Sequence, residues 1–388
     1  MNQAAKSPDI FLVAGEKSGD ELGWKLMRAL RALTDGRVTL RGVGGEGMER
    51  EGLKSLFPQS DIAVMGFLPV LQNLPILLRR IRQTADAIIA NPPDILVIID
   101  SPDFTHRVAK RVRKALPHLP VIDYVSPTVW AWRPGRARKM RAYVDHVLAL
   151  LPFEPKVHAD LGGPETSYVG HPLIEHLSEL RPDADERALR DSAVPCVLIL
   201  PGSRRAEIER LLDLFGETAR QLTERIGEVE FVLPAVTHLH DIIAAKTAQW
   251  PVAVRIVLGE EEKLRAFRRA RAALAASGTV SLELALSGIP MVIAYRVGKI
   301  EEWIVRALAT APSIVLPNLI LGEAAVPEYL QEDASPTTLS KALARVIKSG
   351  DAREAQVAAL ARLDHVMQLP NGESPSTRAA QLILSHCQ

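Results

Sequence analysis

Asp100 ends the wholly apolar run 95–99, ILVII. An acid at the carboxyl end of a buried parallel strand stands where open α/β sheets receive ligands. There it suits a general base that takes a proton from an attacking hydroxyl. The plainer reading is a turn-forming aspartate, with Asp103 capping the helix expected over 104–116. A second stretch with chemical potential is 272–296, AALAASGTVSLELALSGIPMVIAYR. It reads as strand, polar turn, helix, strand. Ser277, Gly278 and Thr279 leave the first amides of the helix open, and such amides attract phosphate. Glu283 lies one helical turn beyond Thr279, on the same face, and suits a ribose diol. The plain alternative is an acid that favours the helix dipole. Gly202, Ser203 and Arg204 form a third turn, between the strand 197–200 and a long helix at 206–226. Amides, a hydroxyl and a planar cation together suit a diphosphate.

The first of these loops in chain order is Gly15-Glu16-Lys17-Ser18-Gly19-Asp20, between a strand at 10–13 and a helix at 21–33. Its glycines admit a ligand to the backbone. The plain reading is a βα turn capped by Ser18 or Asp20. The loop lacks the lysine-serine ending of a P-loop. Residues 42–47 do fit G-x-G-x-x-G, but they follow the second strand and meet only a brief helical run, so a dinucleotide site is not expected.

Apolar strands at 121–125, 146–150, 229–233, 252–257 and 291–294 alternate with helical segments. This pattern predicts an α/β chain of two doubly wound domains. The boundaries expected are 1–172 for the first domain and 173–335 for the second. A helical tail at 336–388 would either return to the first domain or join two copies of the chain as a homodimer. The charged segment 180–194, with Pro182 and then Pro195, reads as the crossing between domains. Asn318, after an apolar run and Pro317, suits a loop that meets a ligand or an ordinary Asx turn.

The 388 residues suit two domains better than one, and a hydrophobic fraction of 47% is ample for packed cores. A formal net charge of +1 argues against a general nucleic-acid binder. The two cysteines, Cys196 and Cys387, suggest neither a disulfide framework nor a metal site. No dense acidic cluster offers itself to a metal. The amino terminus does not read as a signal peptide, and no stretch reaches the length of a transmembrane helix. The uncharged segment 62–78, IAVMGFLPVLQNLPILL, is broken by Pro69 and Pro75 and followed by Arg79, Arg80 and Arg82. It fits either an apolar surface for membrane or acyl chains, with Phe67, Leu68, Val70, Leu71 and Leu74 as contacts, or a core helix after a strand. Residues 124–144 carry five basic side chains and no acid, beside Trp130 and Trp132. That suits phosphate, a lipid surface or a solvated helix face.

Six stretches in order, AGEKSGD (14–20), IDSPDF (99–104), YVSPTVWAWR (124–133), LPGSRRAEI (200–208), ASGTVSLELAL (276–286) and LPNLILG (316–322), resemble the lipid-A-disaccharide synthases over nearly the whole chain. The Ser-Gly-Asp loop and the Ser-Pro-x-x-Trp-Ala-Trp run are specific to that family. The Ser-Gly-Thr helix is shared with other two-domain glycosyltransferases. The resemblance implies a glycosyltransferase B fold, with two Rossmann-like domains facing across a cleft and C-terminal helices. It implies an inverting, metal-independent transfer without a cofactor, from UDP-2,3-diacylglucosamine to a monoacylated or diacylated glucosamine 1-phosphate acceptor. The family's own acceptor is 2,3-diacylglucosamine 1-phosphate, and the products are a β(1→6) disaccharide 1-phosphate and UDP. It further implies a cytoplasmic protein, peripheral on the inner face of the bacterial inner membrane. Glu16, Ser18 and Asn318 match family positions linked to activity, Glu16 and Ser18 on the acceptor side; Glu16 thereby competes with Asp100 as base. Two departures stand out: Gly44-Gly45-Glu46-Gly47, where the family usually has proline and a basic residue, and the second arginine, Arg205, after Arg204. Two other readings compete: a different UDP-sugar enzyme, such as an epimerase or a transferase to another lipid, and a membrane-associated protein that binds UDP-sugar without turnover.

Overall fold

The computed structural model describes residues 7–63, 73–298 and 311–387. Phe67, Leu68, Val70 and Leu71 lie outside the described residues. The chain divides into two compact units, one of Met1–Pro172 with Leu369–Gln388, the other of Leu173–Gln368.

The first unit is built on β1 (Asp9–Ala14), β2 (Thr39–Val43), β3 (Ile95–Ile99), β4 (Val121–Tyr124), β5 (His146–Ala149) and β6 (Glu165–Tyr168). They form one six-stranded parallel sheet in the order β2-β1-β3-β4-β5-β6. Every side chain of β3 is fully buried, as a central strand covered on both faces requires. Ile10, Leu12, Ile95 and Val97 point into one layer with Leu22, Leu26 and Leu30 of the helix Lys17–Leu33. Phe11, Val13, Leu96 and Ile98 point into the other, with Ala85 and Ile88 of the helix Leu74–Ala90 and Val108 and Val112 of the helix Pro102–Ala115. The last helix, Pro375–Ser385, completes the first layer with Ala379, Ala380 and Ile383.

The second unit repeats the plan with β7 (Cys196–Leu200), β8 (Glu230–Ala235), β9 (Val254–Leu258), β10 (Ala272–Ala275), β11 (Met291–Tyr295) and β12 (Glu328–Leu330). These six strands pair in parallel in the order β12-β11-β10-β7-β8-β9. In each sheet the chain winds outward from one strand and then restarts on its other side. The switch points therefore fall between β1 and β3 and between β7 and β10, and ligands of such sheets bind at those points, beyond the carboxyl ends of the strands.

The segment 180–194 is not a free crossing. It belongs to the second unit and carries the helix Ala184–Arg190, started by a capping box between Asp183 and Glu186. Arg181 donates to the Leu286 carbonyl, and Arg190 to those of Phe267, Arg268 and Ser287. Two of the charges that read as a linker are thus spent on open carbonyls. Nor does the tail act as one piece: the helices Pro336–Ile347 and Asp351–Ala361 lie in the second unit and Pro375–Ser385 in the first. Among the described residues no helix is long and apolar enough to cross a membrane.

Candidate active site

At the first switch point the loops after β1 and β3 meet. Ser18 donates its hydroxyl proton to Asp100 Oδ2 at 2.7 Å, and the backbone N–H of Ser101 donates to Asp100 Oδ1 at 2.7 Å. The turn that aims Asp100 is unusual: Asp100 has φ 53° and Ser101 φ 46°. Two successive left-handed residues without a glycine cost on the order of 1–2 kcal/mol each, less for an aspartate. The Asp100 N–H still pairs with the Tyr124 carbonyl at 3.0 Å, so the strain is held by the sheet. Gly19 lies buried against the Ile99 carbonyl. Glu16 is the half-buried cap residue of the helix Lys17–Leu33, its carbonyl engaged by Asp20 N and Gln59 Nε2.

Glu16 also borders a cavity of about 180 Å³, with Ile62, Leu74, Leu77, Ile81, Ser101, Phe104 and Arg107 among its walls. Its walls combine apolar side chains with the charged groups of Glu16, Asp103 and Arg107. Ser101 is a candidate that sequence reasoning passed over. Its Oγ is buried without a hydrogen-bond partner among the described residues. Its position after an acid at a strand end was the available signal.

Asp20 has a different task from its neighbours. Its buried carboxylate accepts from the N–H groups of Gly45, Gly47 and Met48 at 2.8–3.0 Å. It thus caps the helix Glu46–Arg50 from outside rather than its own helix. The glycines of this loop follow from that closeness. A Cβ on Gly45 would stand 2.3 Å from Gln59 Oε1, and one on Gly47 2.6 Å from Trp24 Cδ1.

Beside Asp100, the loop after β4 is fixed from below. Glu154 accepts from the Trp130 indole N–H at 3.2 Å and from Leu151 N at 2.9 Å, while Ser126 Oγ meets His158 Nε2 at 2.8 Å. Burial pushes the Glu154 carboxyl up to about 7, against the pull of these hydrogen bonds. Sequence reading passed over Glu154, which follows β5 and lies far along the chain from the tryptophan it supports.

At the second switch point stand the loops after β7 and β10. Gly202 has φ 113°, and a Cβ there would come 2.3 Å from Glu207 Oε2. The N–H groups of Ser203 and Arg204 both donate to that oxygen, at 3.1 and 3.2 Å. Glu207, missed in the sequence, is thus an internal anion on the amides expected to meet a diphosphate. Its signal was an acid three residues into a helix after a polar turn. Arg204 is largely exposed and 3.6 Å from Glu207, and Arg205 pairs with Glu209. Ser277 donates its hydroxyl to the Ile314 carbonyl at 2.6 Å, which ties this turn to a later loop. Gly278 and Thr279 are exposed at the start of the helix Thr279–Leu286. Glu283 meets Lys263, whose ammonium lies 3.1 Å from each carboxylate oxygen. Asn318, expected on a loop after a strand, lies in the helix Leu316–Leu321 and is buried. Its amide exchanges hydrogen bonds of 2.8 and 2.9 Å with the backbone of Val326. Pro317 starts that helix rather than ending a strand.

Among the described residues no group of three or more His, Cys, Asp or Glu side chains is placed to hold a metal. The model of the family described as lipid-A-disaccharide synthetase matches residues 10–382. The chain belongs to that family. It is 55% identical over 381 residues to a lipid-A-disaccharide synthase of Nitrobacter hamburgensis, covering 98% of this chain and 96% of that protein. A relative of the same name from Bradyrhizobium diazoefficiens is 54% identical over 97% of this chain and 96% of its own. Among solved structures, MurG of Acinetobacter baumannii superposes with TM-score 0.56 at 14% identity over 97% of this chain and 99% of that chain. UDP-GlcNAc 2-epimerase of Neisseria meningitidis, bound to UDP-GlcNAc, superposes with TM-score 0.60 at 13% identity over 97% and 98%. These two share the fold. Within the stretches that carry the family likeness the labour divides: Ser18 reaches Asp100, whereas Asp20, two residues on, is structural.

Proposed function

We propose that the chain joins UDP-2,3-diacylglucosamine to 2,3-diacylglucosamine 1-phosphate and releases the β(1→6) disaccharide 1-phosphate and UDP. The observation that carries this reading is kinship of 55% identity across 98% of the chain with a lipid-A-disaccharide synthase. In the first unit Asp100 takes the proton of the attacking 6-hydroxyl, oriented by the Ser18 hydroxyl and the Ser101 amide. The sugar carbon inverts as its bond to the diphosphate oxygen breaks. In the second unit the charge arriving on UDP is met by the Arg204 guanidinium and the first amides of the helix Thr279–Leu286. Glu283 holds the ribose.

The cavity beside Glu16, smaller than the ~300–1,000 Å³ of a complete small-molecule site, takes part of an acyl chain. Leu74, Ile76 and Leu78 are exposed at the start of the helix Leu74–Ala90, with Arg79 and Arg82 also exposed. Apolar groups among cations suit the headgroup region of the inner membrane's cytoplasmic face. The test is the purified protein with matched diacyl donor and acceptor. Equal release of UDP and disaccharide 1-phosphate is expected; UDP binding without disaccharide overturns the reading.

A further inference from the structure

One ion pair of the second unit joins two separate βα connections. Glu283 belongs to the helix after β10, and Lys263 to the helix Glu260–Arg269 after β9. The Lys263 ammonium donates to Glu283 Oε1 at 3.1 Å and lies 3.1 Å from Oε2 as well. A further hydrogen bond of 3.2 Å runs to Glu260, whose side chain is mostly exposed. Lys263 and Glu283 themselves are only 23% and 19% exposed, and the ammonium sits 5.6 Å from the centre of the Phe267 ring. Burial works against the charge on Lys263, but the carboxylates of Glu283 and Glu260 outweigh it and hold its pKa above the ordinary value.

An ionised carboxylate offers about four acceptor sites, two on each oxygen. A cation bridging both oxygens takes one from each and leaves one on each. Two acceptors at that spacing match the two hydroxyls of a vicinal diol. The bridge also stops the carboxylate from rotating, so its remaining lone pairs keep one direction.

We propose that Lys263 is a positioning residue: it locks the Glu283 carboxylate in the orientation that accepts both ribose hydroxyls, and so sets the preference of this unit for ribonucleotides. The proposal rests on the reading that Glu283 faces the nucleotide ribose. It predicts that the preference is lost with Lys263 even though Lys263 does not touch the ligand.

The experiment is calorimetric titration of the full chain with UDP and with 2′-deoxy-UDP. The wild type is expected to favour UDP by about tenfold, and Glu283→Gln to bind both nearly alike. Lys263→Met should weaken UDP by about tenfold while leaving 2′-deoxy-UDP within about twofold, which also reports an intact fold. Lys263→Arg should recover much of the difference. In turnover assays Lys263→Met should raise KM for the donor more than it lowers kcat. Should the wild type discriminate and Glu283→Gln abolish this, while Lys263→Met leaves discrimination unchanged or weakens both nucleotides equally, the positioning role is overturned and the Glu283 reading stands. A wild type that binds both nucleotides equally overturns the Glu283 reading and the positioning role with it.

Discussion

In the first unit the carboxylate of Asp20 closes on three backbone amides at 2.8–3.0 Å and is buried. In the second, Glu207 reaches two amides at 3.1 and 3.2 Å from the first turn of the same helix. Both place an internal anion on a βα loop, yet the two differ in grip. Asp20 comes from another helix, and glycines with no room for a side chain hold its loop against it. Glu207 needs only a rotamer change to let go. The remaining acids divide in the same way. Asp100 is held by a hydroxyl and an amide, while Glu283 is clamped by an ammonium. The proposed function assigns proton chemistry to the first of these sheets and anion binding to the second, although both are parallel sheets of six strands.

The sharpest way to break this contrast is Asp100→Asn. Turnover should fall by about 10²-fold or more with UDP affinity nearly unchanged, read by steady-state UDP release beside calorimetry. Near-normal turnover would move the base to Glu16. Next, Asp20→Ala strands three backbone amides, two of them buried, and should cost about 3 kcal/mol or more in urea unfolding; a loss below about 1 kcal/mol would put Asp20 on a par with Glu207.

Glu154 gives stability a pH dependence through its own carboxyl. The folded chain holds the Glu154 proton up to about pH 7, against an ordinary carboxyl at 4.5. The folded state therefore binds that proton more tightly than the unfolded state. Its contribution is complete below pH 4.5 and is lost as the pH rises to about 7. On the order of 3 kcal/mol is at stake. Glu154→Gln should flatten that slope relative to the wild type in unfolding measured from pH 4 to 8. The smallest effect is expected from Glu207→Ala: about 1 kcal/mol of stability, as for a lost helix cap, with UDP bound at least as tightly. Weaker UDP binding would show that Glu207 supports the ligand rather than standing in its place.

Legibility followed burial and sequence separation. The run ILVII could only be a strand covered on both faces, and β3 lies exactly on residues 95–99. The edge strands β6 and β12, ETSY and EYL, carry little apolar signal because an edge needs less, and they were not expected as strands. Asp100 and the turn 277–279 were readable because a strand end and a helix start are local features. That Ser18 meets Asp100, that Asp20 holds Gly45, and that Lys263 meets Glu283 depend on which strands become neighbours, which no local pattern states. Asn318 was misread only in its setting, for a related reason: it lies in a helix and its amide pairs with Val326, a partner that appears only when the chain turns back.

The helix Pro375–Ser385 supplies Ala379, Ala380 and Ile383 to a layer otherwise made by the first part of the chain. During synthesis, that layer therefore waits for residues 375–385, whereas the strands of the second unit among the described residues are complete by residue 330. A chain lacking Pro375–Ser385 would keep the strands of the second unit and leave the first unsealed, so removing that helix should injure the half that was made first.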